Sequence, residues 1–207
     1  MRILLSLATA ICILAVALLL VFTPFWIHFA LGAAGSVAPG GGLDAAIQAS
    51  DQTVRTLLAL GSFDFAAPDG SPMYTANEQG HMRDVQVVFY GFMLVSLICL
   101  VFVVVSLFRK PRDPAPWTAV ARGGLWLIVA IIVLGLFAFF AFETAFLLFH
   151  EIFFPGGNFE FPENSNLIRL YPEPFWELTS AALGTLAIIG GVIVWFLARR
   201  RADALAA

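Results

Sequence analysis

Two of the chain's three histidines each stand at one end of a long apolar run, with carboxylates close by in sequence. His81 lies in Asn77-Glu78-Gln79-Gly80-His81-Met82-Arg83-Asp84-Val85, just ahead of one run, and His150 lies in Phe149-His150-Glu151-Ile152-Phe153-Phe154, just after another. Imidazole is the side chain whose unperturbed pKa lies nearest neutrality, so it moves protons at little cost. Glu78, His81 and Asp84 follow one another three apart, and residues at that spacing are neighbours on a helix, so either carboxylate is placed to orient the imidazole. The plain alternative is a solvated helix start whose acid is favoured by the helix dipole. Glu143 falls inside an apolar run, where a carboxylate is a functional candidate by default. It precedes His150 by seven residues, close to two turns, so both project from nearly the same face of a helix. The competing reading is a glutamate near the interface that reaches back to water.

Other chemistries have less behind them. Two histidines with Glu78, Asp84 or Glu151 would make a zinc-like donor set. Yet the chain has no His-Glu-x-x-His helix and no Cys-x-x-Cys pair. A serine-hydrolase elbow, a phosphate loop and a dinucleotide fingerprint are all missing too. His28, in Trp26-Ile27-His28-Phe29, reads as an interface residue.

The elements that carry these residues are membrane helices. The chain is 60% hydrophobic and 12% charged, which excludes an ordinary soluble domain. Spanning a bilayer takes about 20 apolar residues. Four stretches qualify, at about 3–27, 86–108, 124–149 and 178–198. The first is too long for a signal-peptide core and reads as a retained helix; Ile11 ahead of Cys12 argues against lipobox processing. Arg2, Arg109, Lys110, Arg112, Arg122, Arg199, Arg200 and Arg201, 8 of the 11 basic residues, fall on one side, which the positive-inside rule makes cytoplasmic. Both termini are therefore expected inside, with 28–85 and 150–177 outside. A net charge of −3 with no basic groove gives no hint of nucleic acid. Cys12 and Cys99 lie in apolar runs and read as buried thiols rather than a disulfide framework.

The outer segments read as a small extracellular cap on an all-α bundle of four transmembrane helices, a single integral membrane domain over 1–207. Residues 38–42 form a flexible break, and 43–60 has the spacing of an amphipathic helix lying on the bilayer or on the bundle. Pro68-Asp69-Gly70 reads as a turn, and Thr75 to Glu78 has capping-box spacing, so a helix starts there. Phe63-Asp64-Phe65 alternates, and Pro155-Gly156-Gly157-Asn158 separates Ile152-Phe153-Phe154 from Phe159-Glu160-Phe161 as in a hairpin. Residues 167–171 could add a further strand, so the cap is expected to contain short β-strands. Trp26, Tyr171, Phe175 and Trp176 are expected as interfacial anchors.

Three segments resemble motifs of the lipoprotein intramolecular transacylase family of bacterial membrane proteins. They are Glu78-x-x-His81-Met82-x-Asp84-Val85, Phe149-His150-x-Ile152-Phe153-Phe154 and Leu167-Ile168-x-Leu170-Tyr171-Pro172-Glu173-x-Phe175. The four-helix layout agrees along nearly the whole chain, while 32–61 carries little of the likeness. The family's hairpin has a Trp and an Asp-Pro pair where this chain has Phe159 and Phe161-Pro162-Glu163-Asn164. The resemblance implies an acyltransferase of the bacterial cytoplasmic membrane, working at the outer leaflet on a diacylated lipoprotein among membrane lipids. It moves the sn-2 acyl chain of a diacylglyceryl-cysteine to that cysteine's α-amino group, leaving a lyso-form N-acyl lipoprotein, with no metal and no cofactor. It also implies His81 and His150 as the catalytic pair. Glu78, Asp84, Glu143 and Glu151 are then orienting or supporting acids, and Arg83 or Arg169 would meet the oxyanion or lipid head groups. A non-catalytic lipid- or partner-binding membrane protein and a metal-dependent membrane hydrolase are the alternatives.

Overall fold

The computed structural model describes residues 1–109 and 111–206; Lys110, counted above among the basic residues, lies outside them. Eight helices make up the regular structure of the described residues: α1 (Arg2–Val21), α2 (Pro24–Ala33), α3 (Gly42–Leu58), α4 (Ala76–Arg109), α5 (Pro114–Phe140), α6 (Phe142–Phe153), α7 (Asn166–Leu170) and α8 (Glu173–Ala206). Of these, α1, α4, α5 and α8 are long and apolar enough to cross a membrane. The chain falls into two compact units.

One unit comprises residues 1–20, 91–140 and 181–207. Its helices approach closely at small residues. Ser6 Oγ donates to the Ala119 carbonyl at 2.7 Å, and a Cβ added at Gly124 would stand 2.6 Å from the Gly191 carbonyl oxygen. Large residues such as Val133, Leu134, Ile193 and Leu197 stay exposed, as expected of side chains that meet lipid rather than water. Cys12 and Cys99 are free thiols.

The other unit comprises residues 21–90 and 141–180 and holds every candidate functional residue. Its core includes Leu31, Ala46, Phe63, Met73, Tyr74, Leu170 and Phe175. The first apolar run is not one helix. Pro24 cannot donate a backbone hydrogen bond, and Thr23 before it is extended, so α1 stops at Val21 and α2 starts with proline in its first turn. The buried face of α3 is Ala45, Ala46, Ala49, Ser50, Thr53, Thr56 and Leu57, so the helix packs on protein through small side chains. His28 Nε2 meets Asp51 Oδ1 at 2.8 Å, tying α2 to α3. The turn at Pro68-Asp69-Gly70 is present: Gly70, at φ 85°, adopts the left-handed conformation glycine favours and donates to the Ala67 carbonyl.

Two further expectations need correcting. The run 124–149 breaks at Ala141 (φ −149°, ψ 56°), which separates α5 from α6 with no proline or glycine at the break. The expected short β-strands do not form: the described residues hold only an isolated bridge between Ala66 and Pro72. Ile152 and Phe153 finish α6, where their amides serve the helix instead of a hairpin ladder. Residues 166–170 coil into α7 because Ser165 caps it, accepting from the Ile168 amide at 3.2 Å. Of the expected anchors, Phe175 is buried and Tyr171 packs against the core, while Trp176 remains exposed.

Candidate active site

His81 is held by the start of its helix. The capping box at the head of α4 is reciprocal: the Thr75 amide donates to Glu78 Oε2 at 2.7 Å, and the Glu78 amide donates to Thr75 Oγ1 at 3.3 Å. The Thr75 hydroxyl also donates to Oε2, at 2.7 Å. The remaining oxygen, Oε1, accepts from the Leu167 amide at 3.0 Å. Glu78 is 1% exposed and both its oxygens bond to the 75–78 segment and to α7. The expectation that it orients the imidazole gives way to a structural role: it pins α7 to the helix head from which His81 projects one turn later.

His150 closes α6. Its Nδ1 lies 2.8 Å from the Phe146 carbonyl oxygen one turn back. A carbonyl only accepts, so Nδ1 carries the hydrogen and the neutral ring keeps its lone pair on Nε2. The two imidazoles meet: their centroids are 6.0 Å apart and their planes 21° from parallel. Phenylalanines wall them in. Phe154 lies 4.9 Å and Phe161 5.5 Å from His81, and Phe146 lies 4.1 Å and Phe159 5.2 Å from His150.

Surroundings of this kind keep imidazole uncharged. Both histidines lie outside the apolar run 86–108, and His81 is only 6% exposed. Burial, reinforced by the neighbouring His150, lowers the His81 pKa to about 4, against the opposing pull of Asp84 and the Asn158 carboxamide. Burial likewise lowers that of His150, opposed by its bond to the Phe146 carbonyl.

The other expected residues divide. Asp84 is exposed and does not reach the ring directly; Asn158 Nδ2 donates to its Oδ2 at 2.6 Å. Arg83 lies beside Asn158 across Gly80, where an added Cβ would stand 3.9 Å from Arg83 Nη2 and 4.0 Å from Asn158 Nδ2. Glu143 is in the first turn of α6, on the same short helix as His150, and is exposed, as are Glu151 and Arg169. Neither arginine forms an ion pair among the described residues. No group of three or more His, Cys, Asp or Glu with metal-ligand proximity occurs among them either.

Asn158 and the phenylalanine wall are the parts that motif reading left unassigned. Asn158 sits in a Pro-Gly-Gly-Asn stretch that looks only like a turn, and nothing local in the sequence ties it to Asp84, 74 positions away.

Fold and site together define a multi-span α-helical membrane protein that holds two stacked imidazoles inside an aromatic enclosure. The family model for the lipoprotein intramolecular transacylase Lit matches residues 57–176, and the chain belongs to that family. Among solved structures, the integral membrane transacylase Lit of Bacillus cereus superposes with a TM-score of 0.81 at 20% identity, over 98% of this chain and 94% of that one. A variant of that enzyme with one histidine changed to alanine gives a TM-score of 0.69 at 18% identity, over 98% and 92%. At these identities the likeness speaks for the fold. A curated relative, an uncharacterized protein of Aquifex aeolicus (strain VF5), is 26% identical over 129 residues, 62% of this chain and 57% of the relative. The match thus spans little more than half of that relative's length.

Proposed function

We propose that the chain is an intramolecular transacylase of diacylated lipoproteins. It moves the sn-2 acyl group of a diacylglyceryl-cysteine to the α-amino group of the same cysteine and leaves an N-acyl, lyso-form lipoprotein. The observation that carries this reading is the facing of His81 and His150 at 6.0 Å inside a wall of phenylalanines, in a member of this family.

Aminolysis of an ester forms a C–N bond and breaks a C–O bond; the nitrogen loses a proton and the glycerol oxygen gains one. No net proton is consumed, so a base that takes the proton and hands it on is sufficient. The lone pair on His150 Nε2 is suited to that transfer, and His81 faces it as its partner. Both reacting groups belong to one substrate, so the pocket mainly has to fold that substrate into attack geometry. Phe146, Phe154, Phe159 and Phe161 exclude water from the reacting ester and give acyl chains an apolar surface. Arg83, on the head of α4, brings positive charge toward the tetrahedral oxyanion. Asp84 steadies the loop through Asn158, while Glu143, Glu151 and Arg169 meet solvent and lipid head groups.

The concentration of basic residues at the C-terminal ends of α4 and α8 and around the start of α5 supports a topology with both termini in the cytoplasm and the histidine pair at the outer leaflet of a bacterial cytoplasmic membrane. Diacylated lipoproteins present their glyceryl esters at that leaflet.

The test is mass spectrometry of lipoprotein N-terminal peptides from cells that express the wild type, His81→Ala or His150→Ala as their sole transacylase. Each substitution is expected to lower N-acyl, lyso product by about 100-fold or more, the usual worth of a positioned proton-transfer group. Undiminished product from both variants would end the proposal.

A further inference from the structure

His150 has an orienting partner in the Phe146 carbonyl, whereas His81 does not have an obvious one. Its Nδ1 is buried and has no hydrogen-bond partner among the described residues, and the same is true of Asn158 Oδ1. The hydrogen bond to Asp84 decides which end of the amide faces which neighbour. A carboxylate only accepts, so Nδ2 must face Asp84, and the oxygen is left on the other side of the carboxamide. Asn158 stands at the head of α4 beside His81, its Nδ2 bonded to Asp84 and 4.0 Å from where a Cβ on Gly80 would lie, and a carboxamide there favours a protonated ring nitrogen. A lone pair on Nδ1 turned toward that oxygen would set two buried acceptors against each other, whereas an N–H there satisfies both.

We propose that Asn158 is a positioning residue: anchored by Asp84, its carboxamide oxygen takes the Nδ1–H of His81 and so fixes the tautomer that leaves Nε2 as the basic atom. Asp84, Asn158 and His81 then form an orienting relay whose middle member is an amide. The consequence is that both imidazoles present the same face chemistry, with Nδ1 tied to the protein and Nε2 free for the reaction. The catalytic part of this inference rests on the transacylase reading; the tautomer does not.

The experiment therefore has two arms, both on the full chain in lipid nanodiscs. In the first, ¹⁵N-histidine spectra are recorded for the wild type, Asn158→Ala, Asp84→Ala and Asp84→Asn, with the His81 signals assigned by their loss in His81→Gln. The wild type is expected to show His81 protonated at Nδ1. Asn158→Ala and Asp84→Ala should shift the ring toward the Nε2–H form, and Asp84→Asn, which still accepts from Asn158, should retain the wild-type signature. In the second arm, turnover of a synthetic diacylglyceryl-cysteine lipopeptide is expected to fall at least tenfold in kcat for Asn158→Ala, with KM within twofold and the melting temperature unchanged.

A His81 spectrum indifferent to Asn158→Ala in an active wild type overturns the relay and leaves the transacylase reading standing. A spectrum that responds as expected in a chain with no turnover supports the relay and strikes the transacylase reading instead.

Discussion

Burial sets the charge of His81 before any substrate arrives, and two pH dependences follow. The ring titrates near 4 in the folded protein and near 6.5 in an unfolded chain. Between those values the unfolded state binds the extra proton, so stability rises with pH across the window and is level above it. The shift corresponds to about 3 kcal/mol, lost progressively as the pH falls from 6.5 to 4. Thermal unfolding in detergent should show the melting temperature dropping over that range, and His81→Phe should flatten the drop. The rate behaves differently. A base whose pKa burial has lowered, as it has that of His150, cannot readily strip a free ammonium whose pKa is about 8. The substrate must therefore enter as the free amine, and the imidazole takes the proton only once the C–N bond has begun to form. The kcat/KM profile should fall below about pH 8 along the amine's own titration, with no second inflection at the ordinary imidazole value near 6.5, because burial lowers the His150 pKa. A break between 6 and 7 would mean that the catalytic imidazole is not desolvated.

At the scale of elements, Glu78 does more than cap a helix. It joins the reciprocal box at the head of α4 and reaches the first turn of α7, so one buried carboxylate closes two helix starts. Glu78→Ala strands two buried amide donors, those of Thr75 and Leu167, at about 1–3 kcal/mol for each buried group left unpaired. Unfolding in detergent is expected to show a loss of at least that size, with transacylation falling in step as His81 loses its platform. Asp84→Ala removes an exposed carboxylate and should leave stability almost unchanged. That contrast also marks what sequence could reveal. Thr75-x-x-Glu78 is legible because a capping box is complete within four residues, and Pro24 announces the end of α1 for the same local reason. The bond from Glu78 to Leu167 spans 89 positions and no local pattern announces it. The strands expected at 152–154 and 167–171 fail on a related point. β-branched and aromatic runs this short suit helix and strand equally, and the caps at Ser165 and the continuation of α6 decide for helix. The break at Ala141 has no proline or glycine to betray it.

At the scale of the whole molecule, the sequence is most informative where the solvent is lipid. A bilayer forces every backbone group into a helix, so long apolar runs translate into four spanning-length helices with little tertiary context needed. The histidine pair required that context: residues 69 positions apart come to face each other through side chains of α4, α6 and the loop that follows α6. The sidedness of the chain is an electrostatic argument and carries its own prediction. Arg109, Arg112, Arg122 and Arg199 to Arg201 resist translocation far more than the scattered Arg55, Arg83 and Arg169. In a background of Cys12→Ala and Cys99→Ala, a reporter at Glu160→Cys is therefore expected to react with a membrane-impermeant maleimide in intact cells. A reporter at Ala204→Cys is expected to react only after permeabilisation. Both positions are exposed, so a missing label reads as sidedness rather than burial. Labelling of Ala204→Cys in intact cells with protection of Glu160→Cys would invert the topology. It would also put the histidine pair at the cytoplasmic leaflet, away from the glyceryl esters of mature lipoproteins.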